Sequence, residues 1–291
     1  MIAELIEMFS YPFMRHSLLV GVFGGGLLAF LGIFVHLRRI VFLGAALPQI
    51  IAMGIAAAVF VSVPPIIGAF VGGGLGILLL SRVRSDSHIS NDGWIGIAFA
   101  AGASVAIVLI AVSPVPDGHA LRIFEGKDIL GTSFGDALAA MIAAGSVALI
   151  FALFWSRLVI TGFDSTMSST LGIRVNFWNG LFFLCLGAAL AVVMNTAGSM
   201  LAFSMLVGPS AAALLLFRNF PCIVITAVVL GVVSAVTGLT ASYFLEIYHD
   251  ISLPGGPAMA TAALSTVIFA WPVSAYMRTR AVKKQKSDAA A

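Results

Sequence analysis

The stretch Ile40–Ser81, IVFLGAALPQIIAMGIAAAVFVSVPPIIGAFVGGGLGILLLS, runs for 42 residues without a single Asp, Glu, Lys or Arg. A helix that crosses a bilayer needs about 20 apolar residues, so this stretch is long enough for two crossings. A second charge-free stretch, the 43 residues of Val175–Phe217, has the same capacity. Two uncharged stretches of this length predict a chain that is embedded in a membrane.

The composition excludes the soluble classes of protein. Charged residues make up 9% of the 291 residues and hydrophobic residues make up 60%, whereas soluble domains carry about 25% charged residues. The mean hydropathy is +1.10. A soluble enzyme and a disordered chain are therefore excluded, and the sequence shows no basic face that would bind nucleic acid. We expect an integral membrane protein in contact with membrane lipid.

Breaks in the apolar pattern predict an all-α, polytopic membrane helix bundle with eight to nine transmembrane helices. We expect residues 1–291 to form a single membrane domain, because helices packed in one bundle share one interior. If residues 41–80 form one crossing plus a re-entrant piece, the count is eight rather than nine. The nine apolar segments cover 17–36, 41–61, 64–80, 93–113, 135–155, 177–195, 198–217, 221–245 and 257–276.

The few charges predict which side of the membrane each loop faces. Residues 277–291 form a tail that holds five of the 15 basic residues, and positive charge beside a membrane helix marks the cytoplasmic side. Counting back from this basic cytoplasmic tail, the loops 218–221, 157–176, 81–92 and 37–40 also lie inside, and each contains arginine. With nine crossings the N-terminus lies outside, whereas with eight the first half is inverted.

Ionisable residues are nearly absent from the segment interiors, where they would mark a proton or ion relay. The candidates His36, Asp136 and His249 all stand at segment ends. We therefore expect the energy for any transport to come from another subunit. The crossings contain no arrangement typical of a buried hydrolase, and the chain has no G-x-x-x-x-G-K-[ST] phosphate loop. We assign no catalytic residue, no metal ligand and no cofactor, and expect the protein not to be an enzyme.

The most unusual polar stretch is Arg157–Asn176, RLVITGFDSTMSSTLGIRVN. Asp164 is a favourable residue for capping a helix N-terminus, and Gly172 is a favourable residue for ending one. The stretch therefore predicts a short polar helix on the cytoplasmic side. This helix is either an ordinary connection or a surface presented to a cytosolic partner.

Four stretches, in order along the chain, resemble the permease subunits of the zinc/manganese/iron ABC importer family. The family's coupling segment reads Phe-Asp-x-x-x-Ala-x-x-x-Gly, and Phe163-Asp164-x-x-Met167-x-x-x-x-Gly172 is similar to it, with Met167 or Ser168 in place of the alanine. The other three stretches are Leu37–Gly44 (LRRIVFLG), Gly198–Leu201 with Leu206–Ala213, and Tyr248–Gly256.

The resemblance implies a homodimeric permease in the cell (inner) membrane. It also implies two partners, a cytosolic ATP-binding cassette subunit and an extracytoplasmic solute-binding protein. Within 157–176, the resemblance assigns the contact with the ATPase to five residues, Phe163, Asp164, Met167, Ser168 and Gly172. We therefore expect the permease of an ATP-driven importer for zinc, manganese, iron or a metal complex. The alternative is a stand-alone secondary transporter or channel for a small solute.

One departure from the family pattern concerns the substrate. The family reads Gly-Asp-Ala-x-Ser-His where this chain has Gly44-Ala45-Ala46-Leu47-Pro48-Gln49, so Ala45 replaces the aspartate and Gln49 the histidine. First-row divalent metals prefer carboxylate, imidazole or thiolate donors. Either the permease passes ions with little coordination, or its substrate is a chelate or another solute.

Four residues are candidates for the translocation path: Gln49, Ala45, Gly44 and Asn195. Gln49 is a polar residue within an uncharged stretch, and Pro48 before it disturbs the local helical hydrogen bonding. The alternative for Gln49 is a side chain that is hydrogen-bonded between two helices.

Overall fold

The computed structural model describes the backbone of residues 11–81, 91–113, 131–163, 165–249 and 253–288. Asp164, residues 82–90 and 114–130, and the side chains of the basic tail lie outside the described residues. The described residues form helices and connecting turns, with no strand among them.

Each predicted apolar segment lies within a helix, except for at most two residues at a segment end. Several helices extend beyond their segment. The nine described helices are α1 (Pro12–Leu37), α2 (Val41–Phe60), α3 (Pro65–Ser81), α4 (Asn91–Ala111), α5 (Phe134–Phe163), α6 (Ser165–Thr170), α7 (Val175–Leu216), α8 (Phe220–His249) and α9 (Gly255–Asp288).

Seven helices of the described chain are long and apolar enough to cross a membrane, which makes this a multi-pass membrane protein. The predicted count of eight to nine crossings is not confirmed, for two reasons. The apolar part of α3, Pro65–Leu79, is shorter than a standard crossing. The predicted segments 177–195 and 198–217 lie within one helical stretch of 42 residues, α7, which is counted once and is interrupted by a non-helical backbone at Gly198.

Helix α7 turns back on itself at Gly198. This residue has φ 81° and ψ 172°, a backbone conformation outside the helical region that glycine adopts without strain. Phe182, in the first half of α7, packs its ring 6.1 Å from that of Phe34. Ser210, in the second half, lies 3.3 Å from His36 Nδ1. Both ends of α7 therefore lie beside the same end of α1, so the two halves run in opposite directions.

The α7 helix is also the centre of the bundle, since it packs against α1, α2, α3, α5, α8 and α9. Small residues allow the helices to approach closely. A Cβ atom on Gly32 of α1 would overlap the carbonyl oxygen of Leu206 and lie 2.6 Å from Ser210 Oγ. A Cβ on Gly54 of α2 would lie 2.8 Å from the Cα of Gly72 in α3. At these positions the glycines serve backbone-to-backbone packing, as small residues do between membrane helices.

The cytoplasmic loop predicted at 157–176 is shorter than expected, because α5 continues to Phe163 beyond a kink at Phe154. The predicted polar helix is confirmed as α6. Gly172 has a φ of +72°, and the N–H of the next residue, Ile173, donates to the carbonyl oxygen of Ser168 at 3.1 Å. This is a glycine-dependent helix end, as the sequence predicted.

Candidate functional site

A cavity of about 690 Å³ lies between α2, α4 and the second half of α7. We name it the Gln49 cavity. Its wall is apolar and aromatic except for the side chains of Gln49 and Ser199. It is lined by Val41, Phe42, Ala45, Pro48, Gln49, Ile95, Gly96, Phe99, Ser199, Met200 and Phe203.

Helical spacing brings the two family-motif positions into this cavity. Ala45 and Gln49 are four residues apart on α2, so their side chains share one helix face. Pro48 lies inside α2 and has no N–H, so the carbonyl oxygen of Gly44 lacks its usual helical donor. The α4 backbone packs directly against Gln49, because a Cβ on Gly102 would lie 2.8 Å from the Gln49 carbonyl carbon. Gln49 is therefore held by backbone contact.

The amide oxygen of Gln49 is the notable polar atom of this site. Gln49 Oε1 is buried and accepts no hydrogen bond within the described chain. In the described chain this oxygen is therefore not hydrogen-bonded between two helices, as the alternative interpretation would require. A buried acceptor without a donor costs about 1–3 kcal/mol relative to a satisfied one. The cavity thus contains an acceptor that a bound molecule could satisfy.

The structure separates the other two path candidates from Gln49. Gly44 is buried against α7, where a Cβ would lie 2.8 Å from Leu206 Cδ2, and it does not line the cavity. Asn195 lines a second cavity of about 320 Å³, together with Asp136 and Thr196. The Gly198 turn lies between Asn195 and Ser199, so the two cavities flank the point where α7 reverses.

Sequence reasoning missed most of the cavity wall. Ser199 and Met200 belong to the Gly198–Leu201 stretch that carries the family resemblance, and this was a signal that could have identified them. Phe99 and Phe203 gave no such signal, since they are apolar residues within apolar segments. Phe42 is 67% exposed and Met200 is 76% exposed, so one side of the cavity is open.

The cavity offers neutral donor atoms to a metal ion, namely an amide oxygen, a hydroxyl and a thioether. Within the part of the chain that the structure describes, no three residues among His, Cys, Asp and Glu are grouped as a metal site.

The residues proposed to contact an ATPase lie at the junction of α5, α6 and α7. Phe163 and Met167 are more than half exposed, whereas Ser168 is fully buried. Gly172 lines a surface groove of about 570 Å³ that continues to Phe177 at the start of α7. The structure therefore brings four of the five predicted residues to one end of the bundle, and Asp164 lies outside the described residues.

A half-buried arginine lies close to this end. Arg38 Nη1 donates to Asn179 Oδ1 at 2.6 Å, and the guanidinium carbon lies 4.1 Å from the centre of the Phe182 ring. Its Nε and Nη2 atoms are buried without a hydrogen-bond acceptor in the described chain. A Cβ on Gly162 would lie 3.7 Å from Nε. We name Arg38, Gly162, Asn179 and Phe182 the Arg38 junction, which joins the ends of α1 and α5 to the start of α7.

Burial lowers the pKa of Arg38 to about 10, because the charged form loses hydration. The side chain therefore stays protonated at neutral pH. In the sequence, Arg38 is marked only as part of the Leu37–Gly44 stretch that carries the family resemblance. Its contacts were not predictable, since Asn179 lies 141 residues away along the chain.

Comparison with known proteins identifies the family. The model of the ABC 3 transport family matches residues 10–274. The chain is 31% identical to the "Probable iron transport system membrane protein" of Haemophilus influenzae, over 84% of this chain and 86% of that protein. It is 28% identical to a manganese transport system membrane protein of Halalkalibacterium halodurans, over 90% of this chain and 88% of that protein.

A solved structure has the same fold. "PsaBC from Streptococcus pneumoniae in complex with Fab" superimposes with a TM-score of 0.83 at 24% identity, covering 96% of this chain and all of that chain. The family predicted from the four sequence stretches is confirmed by the family match and the relatives. The chain therefore belongs to the ABC 3 transport family, whose members are membrane permeases of metal ABC transporters, and it is a transport component rather than an enzyme.

Proposed function

We propose that this chain is the permease of an ATP-driven importer in the cell inner membrane, and that its cargo is manganese, iron, zinc or a complex of such a metal. The named relatives act on iron and manganese. The observation that carries the proposal is the Gln49 cavity, which brings Ala45 and Gln49 together beside the Gly198 turn. These are the two positions at which the family pattern has its path residues.

We further propose nine crossings with the N-terminus outside. At 1.5 Å per residue, the 42 residues of α7 would extend about 63 Å as one straight helix, twice the roughly 30 Å of the hydrocarbon core. A reversal at Gly198 divides α7 into two halves of about the length that one crossing needs. Helix α3, with 17 residues, extends about 26 Å. It is the remaining short crossing.

A homodimer would complete the wall of the Gln49 cavity. The exposed side chains of Phe42 and Met200 flank the open side, where a second copy would pack. A second copy that packs here would bring two Gln49 side chains toward one path. This arrangement would enclose the substrate between the two permeases.

The cytosolic ATPase would dock at α6 and the adjoining end of α5, including Phe163, Asp164 and Met167. Residues 157–176 would then act as the coupling segment, with 277–291 as a cytoplasmic tail. The exposed apolar side chains of Phe163 and Met167 support this surface. The solute-binding protein would deliver cargo at the opposite end of the bundle, where the cavity containing Asp136 and Asn195 lies.

Reconstitution tests the proposal. The permease should co-purify with an ATP-binding cassette subunit encoded near it, and proteoliposomes that contain both should accumulate metal only with ATP, Mg²⁺ and the binding protein. A variant of the ATPase that binds but does not hydrolyse ATP is the control. Uptake by the permease alone, driven by an ion gradient, would instead establish the alternative of a secondary transporter or channel.

A further inference from the structure

We propose that the cargo of the Gln49 cavity is a metal chelate, in which a small organic molecule supplies the metal ligands, rather than a free or hydrated metal ion. This inference rests on the proposed function, since it assumes that the cavity is part of the transport path. It is carried by three properties of the cavity: its donor atoms, its volume and the unpartnered oxygen of Gln49.

The donor atoms do not fit a free divalent ion. Manganese and iron ions prefer carboxylate and imidazole ligands, whereas a thioether such as Met200 favours softer ions such as Cu(I). Residues Ala45 and Gln49 contribute a methyl group and a neutral amide, and among the side chains that the structure describes no charged one lines the cavity. A divalent charge that leaves water needs compensating charge or strong ligands. A chelator would bring both with the metal.

The volume fits an organic complex. A cation with six water molecules, at about 30 Å³ for each water, occupies roughly 180 Å³. The cavity of one chain, with its open side included, is several times larger at about 690 Å³ and falls within the range of about 300–1,000 Å³ that holds small organic ligands. Aromatic walls with few polar groups are also typical of such pockets. Phe42, Phe99 and Phe203 provide these walls.

The Gln49 oxygen defines what the surface of the chelate must offer. Oε1 is a buried acceptor without a donor, so a bound molecule gains most if it presents an N–H or O–H group at this point. A bare metal ion would meet only one neutral oxygen there. The geometry thus favours a complex of low net charge with apolar faces and at least one outward hydrogen-bond donor.

The test compares cargo forms in proteoliposomes that contain the permease, its ATPase and the binding protein. The probes are radiolabelled Mn²⁺ and Fe²⁺ as free ions, and radiolabelled Fe³⁺ complexed with citrate, dihydroxybenzoate or acetohydroxamate. We expect ATP-dependent uptake of at least one complex to exceed uptake of both free ions by about tenfold or more. Co-transport of the labelled organic ligand would show that the complex crosses intact.

Three variants test the site. Gln49→Leu should lower uptake of the preferred complex by about tenfold, and Gln49→Asn should restore part of the loss. The double variant Ala45→Asp with Gln49→His should raise uptake of free Mn²⁺ by about tenfold and lower uptake of the complex.

The remaining outcomes overturn the inference in distinguishable ways. Free Mn²⁺ or Fe²⁺ transported by the wild type as fast as any complex would show that the cavity passes ions, while the proposed import function would stand. Uptake of no probe at all, together with ATP hydrolysis that does not respond to the permease, would remove the proposed function and the chelate inference with it.

Discussion

The Gln49 cavity and the Arg38 junction both contain buried polar atoms without a hydrogen-bond partner, but their surroundings differ. Within the described residues, three buried side-chain polar atoms lack a hydrogen-bond partner: Gln49 Oε1, and Nε and Nη2 of Arg38. The acceptor of Gln49 lines a wide cavity with one open side. The donors of Arg38 are enclosed by helix ends and the Phe182 ring.

The Gln49 cavity is therefore accessible to a ligand, whereas the Arg38 junction is a contact between helices. A small molecule can reach Gln49, so the missing partner there can come from outside the chain. The Arg38 junction has a cation held by one amide and one aromatic face, and its remaining donors, Nε and Nη2, have no acceptor in the described chain. Buried polar groups that are only partly satisfied are costly, and they are often found at functional positions. We therefore expect substitutions at the two places to fail in different ways.

The largest effect is expected from Gly102→Leu, behind the Gln49 cavity. A Cβ at this position would meet the Gln49 carbonyl group and the Ile50 nitrogen at 2.8–3.0 Å, and these backbone atoms cannot move aside. Overpacking of this kind costs about 1–3 kcal/mol or more. The melting temperature in detergent and the yield of monodisperse protein should both fall.

The matched substitution at the Arg38 junction is Gly162→Ala. Its Cβ would lie 3.3 Å from Phe34 Cδ1 and 3.7 Å from Arg38 Nε, so small side-chain adjustments accommodate it. We expect a change in the free energy of unfolding below about 1 kcal/mol. Equal melting temperatures for the two glycine variants would contradict the contrast in packing.

The next effect concerns Arg38→Met. This substitution removes the buried cation and leaves Asn179 Oδ1 without its donor, at a cost of about 1–3 kcal/mol that is partly offset because the unpaired donors disappear. Metal uptake should fall by about tenfold or more, since Arg38 joins α1 to the start of α7 near the proposed ATPase contact. Arg38→Lys should not restore uptake, because an ammonium group neither stacks flat nor donates as a planar fork.

The control for this experiment is Arg39→Lys at the neighbouring exposed position. Uptake and melting temperature should both stay near wild type. If Arg38→Met and Arg39→Lys transport metal equally well, the Arg38 junction has no part in coupling.

A smaller effect on stability is expected from Gln49→Leu. Because the substitution removes a buried acceptor without a partner, the free energy of unfolding should stay unchanged or rise by about 1 kcal/mol. Thermal denaturation in detergent measures this, with Gln49→Asn as the matched control that keeps the amide. A loss of stability comparable to that of Arg38→Met would mean that Gln49 is a structural residue rather than a ligand contact.

The smallest effect is the pH dependence of the Arg38 junction. Burial lowers the pKa of Arg38 in the folded protein to about 10, so above about pH 10 the unfolded state binds more protons than the folded state. Its contribution to stability should therefore be constant from about pH 6 to pH 8 and should become more favourable only above about pH 10. The difference in melting temperature between wild type and Arg38→Met measures this. A difference that changes between pH 6 and pH 8 would assign the titration to another group.

Much of the architecture follows from local sequence. The helices α1 to α5, α8 and α9 were predicted because apolar length and the positions of Pro, Gly and Arg are local properties. The polar helix α6 was predicted from capping chemistry around Asp164 and Gly172. The predicted break between residues 195 and 198 coincides with the non-helical backbone at Gly198, but the sequence did not indicate that the chain reverses there without a polar loop.

The candidate site was predictable only where a motif marked it. Ala45 and Gln49 stood out by their departure from the family pattern, and the structure brings both into one cavity. Gly44 and Asn195 were equally plausible from the sequence, but the structure directs Gly44 toward Leu206 and Asn195 into another cavity. The face of a uniformly apolar helix that lines a path is decided by the neighbouring helices. Those neighbours cannot be predicted from the sequence of that helix alone.

The sequence by itself determined that this protein crosses a membrane and to which family it belongs. Hydropathy acts residue by residue, and the family motifs are short and contiguous. Only the tertiary structure decided that α7 folds back beside α1, that Phe99 and Met200 face Gln49, and that Arg38 binds Asn179. These outcomes depend on packing between residues far apart in the chain, where close contact between small residues, rather than local composition, selects the neighbours.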